Sequence, residues 1–300
     1  MSAVLEYTVT EKYAGKTVEY VLKKEFNVSS SLLTYLKLNA RLFINGKVCR
    51  SVDVASSGDI LTADASENNS GFGNILPWEK ELDIIYEDDF LLIVNKSGNM
   101  ASHPCLGNYE QTLANAVMYY WHTKREYHNY HIVNRLDKDT SGVCVIAKNR
   151  FAHGVISKQM RDGIVEKGYM AIVHGTPEPD SGYIELPIKR ADASVIKRIV
   201  APDGKYAKTL YRTVTSVKDY SLQEIQLETG RTHQIRVHFA HIGHPLVGDW
   251  LYGIGDEEKE LIGRQALHAG YIKFIHPADK TEMSFNCDLP CDMLELLNSL

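Results

Sequence analysis

Between residues 81 and 228, six apolar runs of strand length follow one another with only two helical segments among them. LDIIYEDD and FLLIVNK come first, then QTLANAVMYYWHTK, which reads as a helix, and SGVCVIAKN, a strand with no polar face. FAHGVISKQMRDG reads as the second helix, after which EKGYMAIVHG, TLYRTVTSV and SLQEIQLE return to sheet. A chain so ordered has to build one sizeable sheet and cover it with few helices, which makes it a mixed α+β domain. It is not a strict βαβ repeat. Neither a G-x-G-x-x-G nor a G-x4-G-K-S/T phosphate loop is present.

Residues 1–62 read as a separate small unit. SSLLTYLKL has an apolar helical pattern behind a serine cluster that marks a helix start. LFINGKVC carries the Asn-Gly dipeptide of a tight hairpin, and GDILTA adds a last strand. Its cations, Lys23, Lys24, Lys37, Arg41, Lys47 and Arg50, read as an ordinary solvated surface. Residues 63–80 are rich in Ser, Asn and Gly and form a linker, in which Phe72, Ile75, Leu76 and Trp78 predict that part of it docks. The larger domain then spans 81–300.

Several classes are disfavoured. No apolar run approaches the roughly 20 residues of a membrane-spanning helix. The start, MSAVLEYTVTEKYAG, lacks a basic segment followed by an apolar one, so a cytoplasmic location is expected. Five scattered cysteines do not make a disulfide framework. The lone C-x3-C of Cys287 and Cys291 lacks the second pair a structural zinc needs. A formal net charge of −5 argues against a surface that is basic all over, but a local groove depends on where the cations lie.

The stretch NRLDKDTSG, residues 134–142, concentrates charge in nine positions. Its D-x-D-x-S-G spacing invites a calcium loop, but the twelfth position counted from Asp137 is Lys148, where an EF-hand needs a glutamate. The flanks, HIVNRL and VCVIAKN, read as strands rather than helices. Asp, Thr, Ser and Gly do make a good turn. The turn leaves Arg135 and Asp137 unexplained; two apart, they would share one face of a strand end.

TGRTHQIRVHFAHIGHPLVGD, residues 229–249, predicts a helix with Thr232 as N-cap, Ile235, Phe239 and Ile242 as its apolar stripe, and Gly243 as its stop. Arg231 precedes the helix and Arg236 lies on it. His233, His238, His241 and His244 raise a metal-dependent hydrolase as an alternative, although H-E-x-x-H is absent. Polar histidines lining an RNA or phosphate groove fit the segment better.

NRLDKDTSG, EKGYMAIVHG, TGRTHQIRVHFAHIGHPLVGDWLYG and RQALHAGYIKFIHP occur in that order and together resemble the RluA-type pseudouridine synthases, over about residues 81–298. IIYEDDFLLIVNKSGNMASHP looks like the opening strand pair of the same domain. The resemblance implies a mixed, largely antiparallel catalytic sheet, preceded by a small α+β RNA-binding domain of αL type. It implies isomerisation of uridine in ribosomal or transfer RNA, with base flipping and with no cofactor or metal. Asp137 matches the essential aspartate, Arg236 its ion-pair partner through a bidentate fork, and Tyr169 the active-site tyrosine that stacks on uracil and could relay a proton. A carboxylate can attack the sugar, add to the base or take a ribose proton, and the sequence leaves these three open.

Arg135 corresponds to a residue that fills the vacated stack or holds a phosphate. Arg190, Lys208, Arg231 and His233 complete the expected RNA contacts. Arg190 and Lys208 belong to a cationic stripe over 188–212, with Lys189, Lys197, Arg198, Lys205 and Arg212, opposed there by two aspartates. Asn134 stands where many members carry histidine, and Ser97 where many carry proline. A catalytically inactive RNA-binding protein on the same scaffold is the other alternative. A monomer is expected.

Overall fold

The computed structural model describes residues 4–66, 75–105, 109–192, 194, 196–255, 258 and 260–299. The N-terminal unit consists of β1 (Val4–Thr8), α1 (Val18–Glu25), α2 (Ser30–Leu38), β2 (Leu42–Ile44), β3 (Lys47–Val48) and β4 (Ile60–Asp64). Its sheet runs in the order β1-β4-β2-β3. Thr17 and Ser29 cap the two helices, each side-chain oxygen accepting a backbone N–H. Strand β1 and helix α1 lie outside the elements read from the sequence. The unit's core also reaches past residue 62, since Ala63 and Ala65 are fully buried in it.

The larger unit holds β5 (Asp83–Glu87), β6 (Leu91–Lys96), α3 (Leu113–Thr123), β7 (His131–Ile132), β8 (Ser141–Ala147), α4 (Arg150–Arg161) and β9 (Glu166–His174). There follow β10 (Ser181–Glu185), β11 (Ile188–Arg190), β12 (Arg198–Val200), β13 (Lys208–Val217), β14 (Tyr220–Leu227) and α5 (Gln234–His241). It ends with β15 (Leu267–Ile275), β16 (Glu282–Asn286) and α6 (Cys291–Ser299). The main sheet runs β10-β13-β14-β9-β15-β8-β6-β5, with β16 beside β15 and β7 beside β8. Every pairing in it is antiparallel except β8 with β15.

Strands β6 and β8 are buried on both faces, which is why SGVCVIA shows no alternation. Leu92, Val94, Cys144 and Ile146 pack under α3, while Leu91, Ile93, Val143 and Val145 pack on α4. Further along, Ala171 and Val173 of β9 meet α5, and Ile172 on the other face meets α6. Tyr169 contacts both the α3 and the α5 clusters and marks the seam between them.

The N-terminal unit is seated on α4, whose Phe151 and Val155 complete its core. Of the linker residues expected to dock, Ile75 and Trp78 pack beneath α3, and the Trp78 N–H donates to Asn115 O at 3.0 Å. Leu76 is exposed, and Phe72 lies outside the described residues. No helix among the described residues is long and apolar enough to cross a membrane.

Candidate active site

The loop from Val133 to Thr140 joins β7 to β8, and it is irregular where a strand end was expected, because β7 stops at Ile132. Side chains distant in sequence hold it. Buried Asn134 donates to Val143 O at 2.8 Å and accepts the Val145 N–H at 2.7 Å, so it staples the loop to β8. Ser102 donates to Leu136 O at 2.8 Å. The Lys96 ammonium, almost fully buried, donates to Ser97 O, Met100 O and Lys138 O at 2.8, 2.7 and 3.0 Å. Burial pulls its pKa down to about 8. Arg264 donates to Asp139 O at 3.1 Å and clasps Asp292 of α6 with two bonds.

Gly142 has φ +117°, and a Cβ there would collide with the Ala269 backbone, so the parallel pairing of β8 with β15 depends on glycine at this point.

Arg236 departs from the expectation drawn for it. Its fork grips Asp249, with Nε to Oδ2 at 2.6 Å and Nη2 to Oδ1 at 2.7 Å, and only Nη1 reaches Asp137 Oδ2, at 3.3 Å. The bidentate partner is therefore Asp249, whose side chain is fully buried and also accepts the Leu251 and Tyr252 N–H groups. Asp249 is 13 residues from Arg236 and close to it across the end of α5, whereas Asp137 comes from another loop. Among the described residues, Asp137 Oδ1 has no protein partner, so it is free to face the cleft.

The N-terminus of α5 also differs from expectation. Thr232 is not its N-cap. His233 takes that position with φ 57°, a left-handed conformation uncommon outside glycine, and makes no side-chain cap. Gln234 reaches back instead, its Oε1 accepting the Arg231 N–H at 3.0 Å and the Thr229 hydroxyl at 2.8 Å. This frees His233 to bond Tyr252 through Nδ1 at 2.9 Å and to turn Nε2 towards Asp137 Oδ2, 3.8 Å away. The Tyr252 oxygen accepts the Arg198 N–H, which leaves its own hydrogen available to His233 Nδ1. That assignment leaves the imidazole hydrogen on Nε2, facing Asp137. Burial lowers the His233 pKa and favours this neutral form.

One cleft of about 680 Å³ gathers Asp137, Tyr169, Arg236, Arg135, Arg231 and His233. It is the size of a pocket for a single small ligand, about 300–1,000 Å³. Burial raises the Tyr169 phenol well above its ordinary pKa, so it stays protonated. Two expected contacts lie outside this lining. Arg190 is exposed on the β11–β12 hairpin, and Lys208 is paired with Glu228 at 3.0 Å. The cationic stripe is weaker than the sequence suggests, because β14 also supplies Glu224 to Arg212, and Lys189 is held by Asp203. Four of the N-terminal cations are likewise paired: Lys23 and Lys37 share Glu19, Arg41 holds Asp64, and Arg50 holds Asp53.

The histidines do not converge. His238 is buried between the Thr209 hydroxyl and Leu186 O, at 2.9 Å from each. His244 Nδ1 bonds His174 O at 2.8 Å, and His241 is exposed. His238 and His244 are structural, only His233 of the four lines the cleft, and among the described residues no three His, Cys, Asp or Glu side chains are placed to hold a metal. Cys287 and Cys291 are free thiols. Asp249, Tyr252, Lys96 and Arg264 were not singled out from the sequence, although GDWLYG and RQALHAG, which contain three of them, stand within the motifs that carried the resemblance.

Residues 90–241 match the family model described as RNA pseudouridylate synthase. The chain is 39% identical over 274 residues to the uncharacterized RNA pseudouridine synthase YjbO of Bacillus subtilis, covering 91% of this chain and 95% of that one. It is 40% identical over 236 residues to the ribosomal large subunit pseudouridine synthase D of Zymomonas mobilis, covering 75% and 74%. The solved structure of human RNA pseudouridylate synthase domain containing 1 superposes with TM-score 0.58 at 25% identity, covering 69% of this chain and 83% of that one. The motif series and the extent of this similarity lead to one conclusion: the chain belongs to the RNA pseudouridylate synthase family.

Proposed function

We propose that Asp137 performs the isomerisation of uridine to pseudouridine that membership of the family establishes for this enzyme, and that its substrate is ribosomal RNA. The observation that carries the assignment is the chain Asp249–Arg236–Asp137 at the base of the cleft. A guanidinium locked from behind by a buried carboxylate presents one N–H to Asp137 Oδ2 and keeps that carboxylate oriented. The opposite oxygen, Oδ1, is then the acting atom, whether it attacks the sugar, adds to the base or takes a ribose proton.

Tyr169 offers its ring to the everted uracil. Because its phenol stays protonated, any relay of the C5 proton passes one hydrogen on as another is accepted, and no resident phenolate is involved. His233 Nε2–H lies beside Asp137 and supports the same carboxylate. Arg135, exposed at the rim, suits the vacated stack or a phosphate, and Arg231 suits the backbone. These roles need no cofactor. Several relatives named as ribosomal large subunit synthases favour ribosomal over transfer RNA, and with it a cytoplasmic enzyme.

The test is a pseudouridine map, by carbodiimide-stop primer extension, of RNA from cells with and without the gene. Loss of one ribosomal site, restored by wild type but not by Asp137→Asn, is the expected result. A loss confined to transfer RNA would overturn the substrate, and rescue by Asp137→Asn would overturn the assigned residue.

A further inference from the structure

The buried cations of the larger unit have their acceptors within the protein. Lys96 has three carbonyls, Lys148 has Glu87 at 2.7 Å and Glu126 at 3.6 Å, and Arg236 and Arg264 have Asp249 and Asp292. Lys167 stands apart from them. It is half-buried on β9, lines the cleft, and among the described residues has neither an ion pair nor a hydrogen-bond acceptor. Its ammonium rests against the bare backbone of Gly230, where a Cβ would stand 3.5 Å away, so the glycine leaves the charge open to the pocket.

Position decides what that charge can meet. Strand alternation puts Lys167 on the same face as Tyr169, about 6–7 Å further along β9. Tyr169 sits in the seam between the clusters, while Lys167 lies towards Gly230 and the exposed Arg231 at the mouth. With uracil over the tyrosine, the ribose and its phosphodiesters occupy the mouth. An ammonium that has lost much of its water without gaining an anion favours an arriving phosphate over a neutral base carbonyl. Burial alone depresses its pKa, and no carboxylate offsets the effect.

Building on the isomerase reading of this cleft, we propose that Lys167, with Arg231 on the same rim, grips the backbone phosphate adjoining the everted uridine. Lys167 is thus a substrate-positioning cation whose partner is supplied by the RNA.

The test uses the full chain and a short RNA carrying the mapped uridine, made with a methylphosphonate at either flanking phosphate in turn. Wild type, Lys167→Met and Lys167→Arg are compared for kcat, KM and thermal unfolding. The expected result is a KM raised about 10-fold in Lys167→Met, as for one lost hydrogen bond to a charged group, with kcat nearly unchanged and a smaller rise in Lys167→Arg. Lys167→Met should melt no lower than wild type, because it removes a charge without a partner. One methylphosphonate should weaken wild type clearly more than it weakens Lys167→Met, in which Arg231 alone still meets that phosphate. Equal losses in both proteins, an unchanged KM, or a lowered melting temperature in Lys167→Met would overturn the phosphate role while leaving the isomerase standing. A wild type that turns over no RNA would overturn both.

Discussion

Two carboxylates touch one guanidinium, and replacing each by its amide should separate catalysis from stability. Asp249 is fully buried and receives two Arg236 donors at 2.6 and 2.7 Å along with two backbone N–H groups. Asp249→Asn presents an amide to one of those donors and leaves a buried guanidinium half paired. Breaking a buried pair in this way costs about 3–5 kcal/mol. At about 2–4 °C per kcal/mol for a chain of this size, the melting temperature should fall by roughly 6–20 °C. Asp137 offers a different case. Its side chain is 29% exposed and it meets Arg236 by one contact at 3.3 Å. A pair so placed contributes about 0–1 kcal/mol, so Asp137→Asn should melt within a few degrees of wild type. Its effect should appear in turnover, as a loss of at least about 10³-fold, or roughly 4 kcal/mol in the barrier. The assay is release of tritium from [5-³H]uridine RNA, since C5 loses its hydrogen when it bonds the ribose, run beside calorimetry. Equal melting shifts for the two variants, or Asp249→Asn melting like wild type, would refute the division of labour.

Arg236→Lys keeps the charge but cannot reach Asp249 twice and Asp137 once, so turnover should drop about 10- to 100-fold for one lost charged hydrogen bond; near-normal rates would exclude the fork as the orienting device. Gly142→Ala forces a side chain onto the Ala269 backbone at φ +117° and should cost at least about 2 kcal/mol, read by urea unfolding. His276 is buried beside Asp88 at 3.0 Å and Asp279 at 2.9 Å; burial opposes its charge, but these carboxylates prevail and raise its pKa. A raised histidine contributes stability that is complete below its unfolded pKa near 6.5 and is lost as pH rises through the folded value. The melting deficit of His276→Gln should therefore be larger at pH 6 than at pH 9, and a deficit that grows with pH would contradict the pairing.

What a chain encodes locally can be followed along this one. The unbroken apolar run of β8 signals burial on both faces, and Thr112 and Asn149 cap the helices they precede because a short polar side chain reaches N–H groups only two or three residues away. The turn after Asp137 is of the same kind, with Thr140 N–H donating to Asp137 O at 3.1 Å and Gly142 supplying a backbone that other residues resist. The sequence thus determined the α+β class, most of the element order and the loop that carries Asp137.

The tertiary structure decided the pairings. Periodicity says which face of an element is buried, but not which other element meets it. Sheet order alone brings Lys96 to a carbonyl 42 residues away and Arg264 to one 125 residues away. The same long-range placement gave Arg236 to Asp249, turned His238 inward to Thr209, and matched the cationic stripe with Glu224 of β14 and Glu228 just beyond it. Side-chain charges become a site only when folding determines which of them neutralise one another. In this cleft, Asp137 Oδ1 and the Lys167 ammonium have no partner among the described residues.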